Sequence, residues 1–203
     1  MIHRVYSKLF VVCEWIMNLL LLNLLFIFFS CAGLILFGFA PAYTAMSLVF
    51  KQLYEGEDVR VVRNFYRIFK SELIKSNKFG LLYGYVYILL FINFLFIQTL
   101  PVSIQTTSMF VLIALTLLVL ASSLYIFPLY TSFESTVWLL IKNSLLLALA
   151  FLPRTIFTLI LILAVGVICF YQPILIFLMG FSSVCAITML TSQPCIQKIT
   201  NTV

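Results

Sequence analysis

Hydrophobic positions in this chain come in long unbroken runs, without the alternation of a half-buried strand or the single apolar stripe of a soluble helix. Residues 15–50 carry no charge at all. One helix of that length would extend about 54 Å, well beyond a hydrocarbon core of about 30 Å. The pattern therefore predicts two crossings, over 9–30 and 34–54, joined by a turn at Ser30-Cys31-Ala32-Gly33. Further apolar runs predict spans over 79–100, 109–130, 155–171 and 174–192, the last two separated by a tight turn at Gln172-Pro173. Two segments break the rule. Residues 59–78 alternate apolar and basic positions at helical spacing, and 131–153 is apolar but contains Glu134 and Lys142. The first predicts an amphipathic cytoplasmic helix; the second predicts an interfacial or coupling-like segment that does not cross.

The expected fold is thus all-α: one polytopic helical membrane domain over 1–203, with about six transmembrane helices. Backbone N–H and C=O groups in lipid must be satisfied internally, which leaves helices or closed barrels, and barrel strands would show short alternating segments. Composition agrees. Of the 203 residues, 64% are hydrophobic and only 9% charged, against about 25% charged in an ordinary soluble domain. The twelve basic residues set the orientation. With both termini in the cytoplasm, all of them fall on one side: Arg4 and Lys8, then Lys51, Arg60, Arg63, Arg67, Lys70, Lys75 and Lys78, then Lys142 and Arg154, and finally Lys198. A five-span reading would part the first two from the cluster of seven. A cleaved leader is not expected, since Glu14 interrupts the first apolar stretch and no small-x-small site follows.

In the amphipathic segment Val62, Phe65, Tyr66, Phe69 and Leu73 make the apolar face, and Arg60, Arg63, Arg67 and Lys70 a basic one. Such a helix lies in the headgroup layer or docks a cytosolic partner. Nucleic acid is not an expected partner, because the cluster is short and has Glu55, Glu57 and Asp58 beside it. Gly38 and Pro41 mark an expected break in the second span, where proline removes a backbone donor. Broken helices serve transporters as substrate sites, and small residues also allow close helix packing. The spacing from Glu134 to Leu152-Pro153 is similar to the coupling loop of ABC permeases, although Leu140 stands where that loop has glycine. Lys142 and Arg154 belong to the same candidate surface.

Catalytic candidates are few. His3 is the one histidine, no C-x-x-C or H-E-x-x-H occurs, and no glycine-rich phosphate loop is present. Cys13, Cys31, Cys169, Cys185 and Cys195 are scattered, which suggests neither disulfides nor zinc. Asn18, Asn23 and Asn93 are polar residues within spans, read as interhelical hydrogen-bonding groups. The expectation is a protein that is not an enzyme and holds no cofactor.

These residues carry a resemblance. Asn23-Leu24-Leu25, Pro41-Ala42-x-x-Ala45, Phe65-Tyr66-x-x-Phe69-Lys70, Phe127-Pro128-Leu129, Phe133-Glu134, Lys142-Asn143 and Leu152-Pro153-Arg154-Thr155 follow the order and spacing of the YesL-like family of small bacterial membrane proteins. One departure is Ala40, where the family pattern has glycine. The family resemblance implies a multi-pass protein of the bacterial cell membrane, linked to carbohydrate uptake. It implies a role as an accessory subunit or regulator, with the permease and ATPase of a sugar ABC importer as partners. The alternative is a stand-alone small solute transporter or channel using the second helix.

Overall fold

The computed structural model describes residues 2–34, 37–133 and 136–200, with the side chains of 2–10, 103, 199 and 200 left aside. Seven α-helices follow in order: α1 (Ile2–Ala32), α2 (Phe39–Tyr54), α3 (Val61–Ile97), α4 (Val102–Ser132), α5 (Val137–Ala150), α6 (Leu152–Tyr171) and α7 (Phe181–Thr200). A π-helical turn, Ile176–Gly180, leads into α7. No strand occurs among the described residues. Among the described residues five stretches are long and apolar enough to cross a bilayer: Val11–Ala32, Val61–Ile97, Ile104–Ser132, Leu152–Tyr171 and Ile176–Lys198. The molecule is a polytopic helical membrane protein.

The expected second span is the main departure. It is a 16-residue helix, about 24 Å long, and so short of the roughly 20 residues a crossing requires. Nor is it broken at Pro41. That residue sits in the first turn of α2, where the missing N–H is one the helix would leave unpaired anyway. The expected break at Gly38 and Pro41 is therefore a helix start, with Gly38 as the residue before it. The preceding turn falls later than Ser30, since α1 continues to Ala32. Backbones touch there. A Cβ on Gly33 would lie 2.4 Å from the Gly38 Cα, so both glycines are required by the approach.

The expected amphipathic helix and third span are one continuous helix, α3, of 37 residues. Nothing between Lys78 and Phe79 interrupts backbone hydrogen bonding, so the change from basic to apolar composition is a change of surroundings, not of conformation. α2 runs antiparallel to the N-terminal part of α3. Asn64 Nδ2 donates to Gln52 Oε1 at 3.3 Å, Ser76 Oγ donates to Thr44 Oγ1 at 3.0 Å, and Gly80 faces Ala40. Part of the apolar face of 59–78 is thus taken by protein. Phe65 and Phe69 are buried, with the Phe29 ring 5.5 and 4.8 Å away. Val62 and Tyr66, expected on the same face, are 53% and 54% exposed. They lie about 100° per residue round the helix from the buried row.

Two cores result. The larger joins Leu22 and Phe26 of α1, Ala42, Ala45, Met46 and Val49 of α2, Phe65 of α3, and Cys185 and Met189 of α7. The smaller joins Tyr125 and Leu129 of α4, Leu140 and Leu147 of α5, and Cys195 of α7.

Candidate functional site

Three features carry side chains arranged for more than packing. The first is the basic end of α3. Arg60, Arg63, Arg67 and Lys70 are all exposed, at intervals of three and four residues that keep them on one face. Beneath them Phe65 and Phe69 are fixed in the core. These two phenylalanines were expected to touch lipid or a partner, and their burial removes them from that surface. Lys142 is exposed on α5, while Arg154, half-buried at the start of α6, places Nη1 3.8 Å from Cys195 Sγ. Neither belongs to the α3 stripe. Glu134 lies outside the described residues.

Beside the stripe is a hollow of about 650 Å³ between α3 and the end of α4, lined by Glu72, Lys75, Lys78, Tyr130, Thr131, Ser132 and Thr136 among others. Tyr130 donates to the Glu72 carboxylate, Ser76 Oγ lies 3.5 Å from the same oxygen, and Lys51 Nζ donates to the Thr131 carbonyl at 2.9 Å. Glu72, Lys75 and Lys78 thus share the lining of the hollow, and Lys51 is held at Thr131 on its wall.

The second feature is a cleft of about 330 Å³ where α2, α3, α4 and α7 meet. Its walls are the rings of Phe39, Tyr43, Phe79, Tyr83, Tyr87 and Phe127, with Gly80 and Gly84 on the α3 side. Hydroxyls hold the rings. Tyr83 Oη is 2.6 Å from Ser122 Oγ and 3.3 Å from Ser144 Oγ, Tyr87 donates to Ser123 Oγ at 3.2 Å, and Tyr43 Oη is 3.4 Å from Thr188 Oγ1. Sequence reasoning passed over this cleft, although Gly80-x-x-x-Gly84 interleaved with Tyr83-x-x-x-Tyr87 was a visible signal for close helix approach with an aromatic row beside it.

The third is Asn23, fully buried on α1. Its Nδ2 donates to the carbonyls of Ile176 and Phe177 at 3.0 and 2.7 Å. Its Oδ1 accepts from the N–H of Phe181 and of Ser182 at 2.9 and 3.1 Å. The widened π turn opens the backbone ladder just there, and one amide side chain closes it from the neighbouring helix. Interhelical bonding is therefore the role of Asn23. Asn93 differs: its Nδ2 donates to Leu89 of its own helix. Among the described residues no cluster of His, Cys, Asp or Glu could hold a metal ion.

Helices of this length and apolarity, arranged around interior polar bonds, define a multi-pass integral membrane protein. Residues 19–94, which include Asn23, the basic stripe and the glycine pair, match the family described as "Protein of unknown function, DUF624". The chain is 33% identical over 184 residues to the uncharacterized protein YesL of Bacillus subtilis (strain 168), covering 90% of this chain and 85% of that one. It is 32% identical over 162 residues to YteU of the same organism, covering 79% and 72%. YesV matches at 30% over 145 residues, 70% of this chain and 69% of YesV. The chain belongs to this YesL-like family. No solved structure matches it.

Proposed function

We propose that the protein is a non-enzymatic accessory subunit of the bacterial cell membrane, working with a carbohydrate importer of the ABC type. The observation that carries this reading is the stripe of Arg60, Arg63, Arg67 and Lys70, exposed at the start of a helix that is anchored through the buried Phe65 and Phe69. Anchored on one side by these rings, the helix can present its charges to an acidic partner surface. Charges placed on a rigid element serve recognition and association rate more than raw affinity. α5 adds a second exposed feature with Trp138, at 77% exposure, and Lys142. The link to carbohydrate rests on the family resemblance. The alternative of a transporter acting through a broken second helix has less support, because Pro41 lies in the first turn of α2, which runs unbroken from Phe39 to Tyr54.

The test is purification of the tagged protein from its native cell in gentle detergent, with mass spectrometry of what accompanies it. Sugar-importer permeases and their ATPase should co-elute, and replacing the four basic residues by Gln should release them while leaving the melting temperature unchanged. A protein that elutes alone, from a cell whose sugar uptake survives its deletion, overturns the proposal.

A further inference from the structure

We propose that the aromatic cleft between α2, α3, α4 and α7 binds one anionic phospholipid, its acyl chain among the rings and its phosphate toward Lys75 and Lys78. The cleft volume of about 330 Å³ is at the lower end of the roughly 300–1,000 Å³ typical of ligand sites. What it offers a ligand is almost entirely carbon. The hydroxyl hydrogens on its walls are committed within the protein: Tyr87 to Ser123, Ser123 to the Leu120 carbonyl at 2.8 Å, Thr188 to the Cys185 carbonyl at 2.9 Å, and Tyr83 to the Ser122 and Ser144 pair. A sugar ring would need several uncommitted donors and acceptors to replace its water. A hydrocarbon chain needs none, and an apolar hollow left empty forfeits dispersion contacts along its whole lining.

The glycines keep the hollow open in two distinct ways. A Cβ on Gly80 would lie 2.3 Å from Ala40 Cβ, so that residue sets the close approach of α2 and α3. A Cβ on Gly84 would meet nothing within 4 Å. Gly84 therefore faces space that a side chain could occupy. Three of the walls, α3, α4 and α7, belong to stretches long and apolar enough to cross a bilayer, which puts acyl chains at the cleft.

Charge selects the headgroup. The hollow containing Lys75 and Lys78 follows the cleft along the α3–α4 seam: the Phe79 ring of the cleft is 5.6 Å from Phe127 and 5.1 Å from Tyr130, which lines the hollow. Lys78 directly precedes the apolar part of α3, the level at which ammonium groups meet lipid phosphates. Glu72 in that hollow is engaged by Tyr130, and Lys51 reaches Thr131 there, so the balance is positive.

The test uses the full-length protein in nanodiscs doped with phosphatidylglycerol or phosphatidylcholine carrying a diazirine on the acyl chain, with cross-linked peptides read by mass spectrometry. Labelling at Tyr83, Tyr87 and Val184 by the phosphatidylglycerol probe should exceed that at Leu163, an exposed annular position, by several-fold. Gly84→Phe should remove the cleft label and leave the Leu163 label, with Gly84→Ala intermediate. Lys75→Gln with Lys78→Gln should bring the two probes to equality without removing the chain label. Cleft labelling no greater than at Leu163, or unaffected by Gly84→Phe, overturns the chain site. Equal labelling by both probes in the unsubstituted protein overturns the anionic headgroup.

Discussion

α2 and α6 both lie within stretches expected from the sequence to cross the membrane, and they have opposite fates in the fold. Ten of the 16 residues of α2 are buried, half of them small: Ala40, Ala42, Ala45, Thr44 and Ser47 lie against neighbouring helices. α6 is longer, at 20 residues, yet only Thr155 and Thr158 are buried. Its Ile160, Leu163 and Phe170 point outward. Size explains the difference. Small side chains let backbones approach, and in a membrane that approach supplies the contact that hydrophobicity cannot, since lipid is as apolar as leucine. Large aliphatic residues gain nothing by turning inward and are left to the lipid. The polar residues of α6 do the opposite: Thr155 Oγ1 is 3.0 Å from Tyr125 Oη and donates back to the carbonyls of Ala148 and Phe151.

Substitutions can break this contrast in a ranked order. The largest effect is expected outside both helices, at the clamp that fixes α7 beside them. Asn23→Leu strands four backbone groups in apolar surroundings and should reduce stability by about 3–5 kcal/mol, seen as a large fall in melting temperature in mild detergent. Next comes Gly80→Val, which forces α2 from α3 and should cost about 1–3 kcal/mol; an unchanged melt would mean the close approach at Ala40 is not maintained. Tyr83→Phe leaves Ser122 and Ser144 bonded to each other at 2.8 Å and should cost about 1 kcal/mol in the same melt. Smallest of all, Ile160→Ala and Leu163→Ala on α6 should stay within about 0.5 kcal/mol. A drop of several kcal/mol there would show that α6 is covered by protein in the native assembly. Sidedness sharpens the picture further: cysteines placed at Arg67, Lys142 and Lys198 should all react with an impermeant maleimide from the cytoplasmic face only.

The membrane class was plain in the chain, because a run such as 155–171 is too long and too apolar for any other solvent. Hydropathy could not tell lipid from protein as the apolar surroundings, and α2 fell on that ambiguity. Ala40, Ala42 and Ala45 were the available hint that 34–54 packs on protein. α3 was divided in two because its composition changes at Lys78 and Ser76, Asn77 and Gly80 flank that point, whereas no proline there ends the helix. Phe65 and Phe69 were correctly placed on an apolar face, but the partner of that face depends on contacts from α1 that no local pattern encodes. The cleft was missed for the same reason. Its residues are drawn from four helices, and only the glycine and tyrosine pairs on α3 share a spacing.

The length of α3 also makes it a lever. Val61 and Ile97 lie about 29 and 26 Å from Gly80 along the axis, and Gly80 is where the helix bears on Ala40. With that contact as fulcrum the arms are nearly equal, so a sideways displacement at the basic end returns with similar size and opposite sense at the far end. The wall bearing Tyr83 and Gly84 sits close to the pivot and moves little. Mechanical input at the basic stripe would thus be delivered to the far end of α3, with the cleft held nearly still.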